Sequence, residues 1–295
     1  MCGRADFPQK NIRSTLMKVI RTVPAMQRLA EKLRQGRLGF VPTMGALHEG
    51  HLELVRQAKR RCDRVVVSIF VNPIQFGPKE DYRRYPRDWD RDRRLLARLG
   101  TDVLFYPPTE EMYPAGYATY VEVERLDRYL CGASRPGHFR GVATVVAKLF
   151  NIVKPHYAFF GQKDAQQLLI IKRMVRDLNF DIKIVAVPTQ RAPDGLALSS
   201  RNVYLTPRER KEAVVLYQAL HCARELIARG ERRPGRIKAA MRRLIQTESS
   251  GRIDYIEITD TTELAPVKVI RGEVLIALAV FFGQARLIDN LIVRV

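Results

Sequence analysis

The segment Arg64-Val-Val-Val-Ser-Ile-Phe-Val71 places the tightest limit on what this chain can fold into. It is a nearly unbroken β-branched and apolar run of strand length, without the alternation of a strand that faces water on one side. Such a strand needs cover on both faces, which parallel sheets receive from crossover helices. The preceding sequence supplies a partner and a crossover. Leu38-Gly-Phe-Val-Pro42 reads as a strand, and residues 52–58 carry apolar side chains at helical spacing after a Gly-containing turn, so the three segments form a βαβ unit.

The alternation continues. A charged helix is expected at about 88–99, a strand at 103–106, a helix at about 142–150, a strand at 157–160, a helix at about 165–178 and a strand at 182–187. Met17-Lys-Val-Ile-Arg21 is a further strand-like run. This pattern predicts an α/β fold, a Rossmann-like doubly wound parallel sheet with its ligand at the carboxyl ends of the strands. Past Pro188 the character changes: helical segments at about 207–229 and 234–248 precede strand-like runs at 253–258, 274–281 and 287–293. The expected organisation is an extension at 1–16, a nucleotide- and substrate-binding domain at 17–188 and a smaller α+β C-terminal lid domain at 189–295.

Hydrophobic residues make up 46% of the chain and charged residues 28%, enough to bury a full core. The longest apolar run, Val274 to Phe282, is strand-sized and far short of a membrane span, and residues 1–16 lack the apolar segment of a secretory signal. The four cysteines are scattered without a C-x-x-C pair, so a reducing, cytoplasmic setting is expected, with no membrane partner. The formal charge of +20 raises nucleic acid as a partner, yet the basic residues are dispersed through helical segments without an aromatic-interleaved block. A solvated basic surface that also attracts anionic small molecules is the expectation, with no nucleic-acid partner.

The chemistry gathers in Pro42-Thr-Met-Gly-Ala-Leu-His-Glu-Gly-His51, between the first main strand and its helix. His48 and His51, at i and i+3, share a face at a helix start, where free N–H groups and the positive dipole end favour a phosphate. Gly50 lets a ligand approach closely. Two surface histidines in a turn are the bland alternative, and a zinc site lacks a third ligand at suitable spacing. Lys163 projects from the loop after the 157–160 strand, where an ammonium would meet phosphates. Asp164 could face ribose or Mg²⁺, or be an ordinary acid at a helix start. Ser199, Ser200 and Arg201, in a turn-rich stretch at the domain junction, could clamp a departing pyrophosphate.

H-x-G-H after the first strand resembles the signature of nucleotidyltransferases and class I aminoacyl-tRNA synthetases. The longer string resembles pantothenate synthetases (pantoate–β-alanine ligases), as do Val71-Asn-Pro-Ile-Gln-Phe-Gly77, Arg135-Pro-Gly-His-Phe-Arg-Gly-Val-Ala-Thr-Val-Val146, Phe160-Gly-Gln-Lys-Asp-Ala-Gln-Gln167 and Asp194-Gly-Leu-Ala-Leu-Ser-Ser-Arg-Asn202. These strings lie in the family's order along residues 18–295. Ile74 and Leu198 stand where the family commonly has Met, replacements of similar size.

The resemblance implies an ATP-dependent ligase that adenylates pantoate and transfers the acyl group to β-alanine, releasing AMP and pyrophosphate. It implies catalytic roles for His51, His48 and Lys163, with His51 foremost. ATP would be bound by Met44, Gly45, Ala46, Leu47, His48, Glu49, Gly50 and His51, by Gly161, Gln162, Lys163 and Asp164, and by Gln190, Leu198, Ser199, Ser200 and Arg201. Gln75 and Gln167, with Pro42 and Met44, would hold pantoate, and Gln75 also β-alanine. ATP as substrate, Mg²⁺ and a homodimer complete the expectation. The rivals are a cytidylyltransferase, which explains the histidines but not the glutamines, and a nucleic-acid-binding protein, which rests on charge alone.

Overall fold

The computed structural model describes residues 16–78 and 80–295, so the expected extension at 1–16 lies, but for Leu16, outside the described residues. Six parallel strands, β1 (Lys18–Ile20), β2 (Leu38–Thr43), β3 (Arg64–Ile69), β4 (Val103–Phe105), β5 (Tyr157–Gly161) and β6 (Lys183–Val187), form one sheet in the order β1-β4-β3-β2-β5-β6. Three antiparallel strands, β7 (Arg252–Asp260), β8 (Glu273–Phe282) and β9 (Ala285–Arg294), form a second.

The β3 run behaves as its composition requires. Val66 joins Phe40, Phe105 and Phe160 in a core on one face, beneath the helices Val23–Leu33, His138–Val153 and Ala165–Asp177. Val65, Val67 and Ile69 join Val41, Leu104 and Phe159 in a second core on the other face, against Glu49–Arg61 and Trp89–Arg98. The same logic explains β8, the middle strand of the small sheet. Its Val274, Ile276, Leu278, Val280 and Phe282 pack against the helices Val215–Ala228 and Pro234–Glu248, while Leu275 and Ala277 enter the main core. The small sheet is thus shared between its own helices and the core of the parallel sheet.

Several boundaries differ from the sequence expectation. The helix expected at 142–150 begins at His138, which brings Gly141 into its first turn. The helix expected at 207–229 divides into Pro207–Glu212 and Val215–Ala228. At the break the backbone bonds become i→i−3, from Val214 to Lys211 and from Leu216 to Ala213, a local tightening with which Ala213, Val215 and Leu216 are all buried. Val23–Leu33 is a helix the sequence reading omitted, although Met26, Leu29, Ala30 and Leu33 stand at helical spacing; Met26 and Ala30 are fully buried, and Val23, Leu29 and Leu33 pack against the same core. Among the described residues no helix is long and apolar enough to cross a membrane.

Candidate active site

A cleft of about 230 Å³ opens at the carboxyl ends of the strands, where the sheet order turns back beside β2. Pro42 and Thr43 of β2, Phe70 after β3, Phe160 and Gly161 of β5, and Pro188 after β6 contribute to its wall.

His48 is the cap of the Glu49–Arg61 helix. Its Nδ1 accepts the Gly50 N–H at 3.1 Å, while His51 Nδ1 accepts the His48 N–H at 3.3 Å. The rings lie 4.1 Å apart. An Nδ1 that accepts a backbone N–H places the proton of the neutral ring on Nε2, so both imidazoles enter the cleft wall as N–H donors. Burial, with Lys163 next, pushes His48 down to about 4; burial, His48 and Lys163 hold His51 well below 6.5. Both are therefore neutral near pH 7 in the free protein.

The loop ahead of them is strained, with Gly45 at φ +81° and Ala46 at φ +50°. Thr43 Oγ1 accepts the Gly45 N–H at 3.2 Å, and Ser200 Oγ, from beyond the sheet, donates to the Ala46 carbonyl at 3.1 Å.

Gln75, 8% exposed, ends a 3₁₀ turn (Pro73–Gln75) after β3. Its Oε1 accepts from Asn72 Nδ2 at 3.0 Å, and its Nε2 reaches Met44 Sδ at 3.2 Å. Asn72 is held by Tyr113 Oη at 2.8 Å and by the Gly141 carbonyl at 3.1 Å. Gly141 is needed here because a Cβ on it would sit 2.5 Å from the Ile74 carbonyl oxygen. Gln167 faces the cleft, whereas its neighbour Gln166 is buried and ties Leu126, Tyr129 and Cys131 to the helix at 2.7–2.9 Å.

Arg201 does not stand free. Asp81 accepts from its Nε at 3.0 Å and its Nη2 at 2.9 Å. Lys163 lines the cleft, and its carbonyl and that of Gln162 accept from Asn290 Nδ2 of β9 at 2.7 and 3.1 Å. A second cavity, of about 350 Å³, shares Lys163, Asp164, Gln167 and Arg201 with the cleft and continues between the two sheets to Tyr255 and Arg286.

Of the residues singled out in the sequence, Pro42, Met44, His48, Gly50, His51, Gln75, Gly161, Lys163, Asp164, Gln167, Gln190, Leu198, Ser199, Ser200 and Arg201 come together around the cleft. Gly45, Ala46, Leu47, Glu49 and Gln162 do not line it. Leu47 is buried in the core, Glu49 pairs with Arg56 at 2.5 Å, and Gly45 faces a neighbouring cavity.

The sequence reading missed Asn72, Tyr85, Arg135 and His138, which also line the cleft. Arg135 and His138 stand in one of the quoted strings, but what fixes them is distant in sequence: Glu80 accepts from Arg135 at 2.5–2.6 Å, and His138 Nδ1 donates to the Gln75 carbonyl at 2.8 Å. Arg135 Nη1 donates to His138 Nε2 at 2.9 Å, and burial followed by this guanidinium lowers His138 to about 4.

Known proteins resemble this chain in sequence and fold. The profile of the family described as Pantoate-beta-alanine ligase matches residues 18–292. A pantothenate synthetase of Pelotomaculum thermopropionicum is 59% identical over 94% of this chain and 99% of its own length. One of Thermotoga neapolitana is 56% identical over the same shares. The crystal structure of pantothenate synthetase from Thermus thermophilus superposes with a TM-score of 0.89 at 51% identity, covering 93% of this chain and 99% of that one. The pantoate-β-alanine ligase of Francisella tularensis, complexed with β-γ ATP and β-alanine, gives 0.77 at 36% identity, covering 93% and 97%. A profile match running from the edge strand to the last strand, through every element that carries the cleft, means that the chain belongs to the pantoate–β-alanine ligase family.

Proposed function

We propose that this ligase joins pantoate to β-alanine through a pantoyl adenylate formed in the cleft. A carboxylate is anionic and has no leaving group, so amide formation needs activation. In the proposed first step a pantoate oxygen attacks the α-phosphate of ATP and pyrophosphate leaves. In the second the β-alanine amine attacks the acyl carbon, AMP leaves, and the amine gives up a proton. The observation that carries this reading is the paired acceptor role of the two Nδ1 atoms, which leaves two neutral Nε2–H donors beside Lys163 at a helix start. Charge develops on phosphate oxygens in the first step, and preorganised donors facing it lower the barrier. His48 and His51 therefore act as hydrogen-bond donors more readily than as proton donors.

The remaining roles are those the family resemblance implies, and the gathering of these residues around the cleft supports them. Gln75 and Gln167 hold pantoate, with Pro42 and Met44 against its apolar part, and Gln75 also meets β-alanine. Ser199, Ser200 and Arg201, from the proposed lid domain at 189–295, take the pyrophosphate, with Arg201 exchanging Asp81 for phosphate oxygens. Among the described residues no three His, Cys, Asp or Glu side chains converge into a metal cage. That fits Mg²⁺ carried mainly by nucleotide phosphates, with Asp164 or Asp81 as its protein carboxylate and charge neutralisation as its contribution. The family resemblance supports a cytoplasmic homodimer, which sedimentation equilibrium would test.

The mechanism requires AMP and pyrophosphate as products, and ATP–pyrophosphate exchange that depends on pantoate but not on β-alanine. ADP as the nucleotide product, or exchange that needs β-alanine, would rule out the adenylate.

A further inference from the structure

Asp92 is a carboxylate only 2% exposed, on the helix Trp89–Arg98, and the reaction described above gives it no work. Burying a carboxylate is costly unless it is well hydrogen-bonded. Its oxygens are engaged by the strained loop: Oδ1 accepts the Leu47 N–H at 2.8 Å, and the Ala46 N–H is a second backbone donor. The adjacent Arg91 completes the hold, its Nη1 donating to the Leu47 carbonyl at 2.8 Å. Two neighbouring side chains on one helix thus grip both polar atoms of Leu47, the residue immediately before His48. A non-glycine residue in the left-handed region, as Ala46 is at φ +50°, is strained and persists only when its surroundings enforce it. From Leu47 the link passes to the His48 N–H, the donor that fixes the tautomer of His51.

We infer that Asp92, seconded by Arg91, is a positioning residue that holds the left-handed Gly45–Ala46 turn and thereby aims the Nε2–H donors of His48 and His51. The inference rests on the proposed role of those histidines for its kinetic consequence, but not for its geometry. Asp92→Asn is nearly isosteric yet presents an N–H₂ to one of two N–H donors, so the turn relaxes. A displacement of about 1 Å at reacting groups can cost on the order of 10²-fold in rate.

The test combines single-turnover adenylation with ¹⁵N spectra of the imidazoles. Asp92→Asn is expected to lower the adenylation rate 10- to 100-fold, with KM for ATP and pantoate within about twofold, and to change the Nδ1 signals of both histidines. Arg91→Ala, half-exposed and safe for folding, is expected to show a smaller loss of the same kind. Adding Ala46→Gly to Asp92→Asn should recover part of the rate, because glycine holds a left-handed φ without help. Unchanged imidazole signals in both variants would overturn the inference, as would a loss confined to melting temperature and KM. If the signals move but His51→Ala adenylates at the native rate, the positioning stands and the catalytic reading of the histidines falls.

Discussion

The adjacent glutamines at 166 and 167 have opposite duties. Gln166 is buried and fully occupied by backbone, while Gln167, one position on, faces the cleft. Gln75 has its acceptor occupied by Asn72, while its Nε2 spends one proton on the weakly accepting Met44 sulfur and keeps the other for a substrate oxygen. Replacing Gln75 or Gln167 by Ala should therefore cost about 0.5–1.5 kcal/mol per neutral hydrogen bond, and more where a carboxylate is the partner. That corresponds to a several-fold to more than tenfold drop in kcat/KM for pantoate, with ATP affinity in the absence of pantoate nearly unchanged. Weakened ATP binding with intact pantoate kinetics would move both residues to the nucleotide site. The sequence could name His48, His51 and Lys163 because their chemistry is written into spacing and loop position. It could not name Asp92 or His138, whose partners lie 45 and 63 positions away and become neighbours only when the sheet orders its strands.

At the scale of elements, legibility followed burial on two faces. The β3 run dictated covering helices, and β8, read as strand-sized from its unbroken apolar run, is the middle strand of its sheet. The first turn of His138–Val153 escaped the reading because its residues serve the Pro73–Gln75 turn rather than an apolar stripe. Gly141 is where the two elements meet, and a Cβ there would stand 2.5–2.7 Å from the backbone of Ile74 and Gln75. Gly141→Ala would gain helix propensity of about 1 kcal/mol, but overpacking against rigid backbone typically costs 1–3 kcal/mol or more. The helix must shift, and Gln75 with it. The expected result is a raised KM for pantoate together with a lowered melting temperature. An unchanged KM would show that the turn and the helix move independently.

The whole molecule brings three neutral histidines to one region of a chain whose formal charge is +20. His48 and His138 are depressed to about 4 and His51 well below 6.5, in each case by burial first and by neighbouring cations or imidazoles next. Asp164 opposes the shift at His48 and Glu80 at His138, but neither outweighs burial. The unfolded chain, with histidines near 6.5, therefore binds protons that the folded one refuses. Stability present above about pH 6.5 is lost as the pH falls towards 4, with a slope of at most about 1.4 kcal/mol per pH unit for each group. Protonation also adds to an already large positive charge, so self-repulsion acts in the same direction. Melting temperature should decline between pH 6.5 and 4.5 in the absence of nucleotide. His138→Asn keeps a donor for the Gln75 carbonyl but does not titrate, and should flatten the decline by about one proton. A melting temperature constant over that range, or a slope untouched by the substitution, would mean that these imidazoles take up protons in the folded state and that their neutrality is not built into the fold.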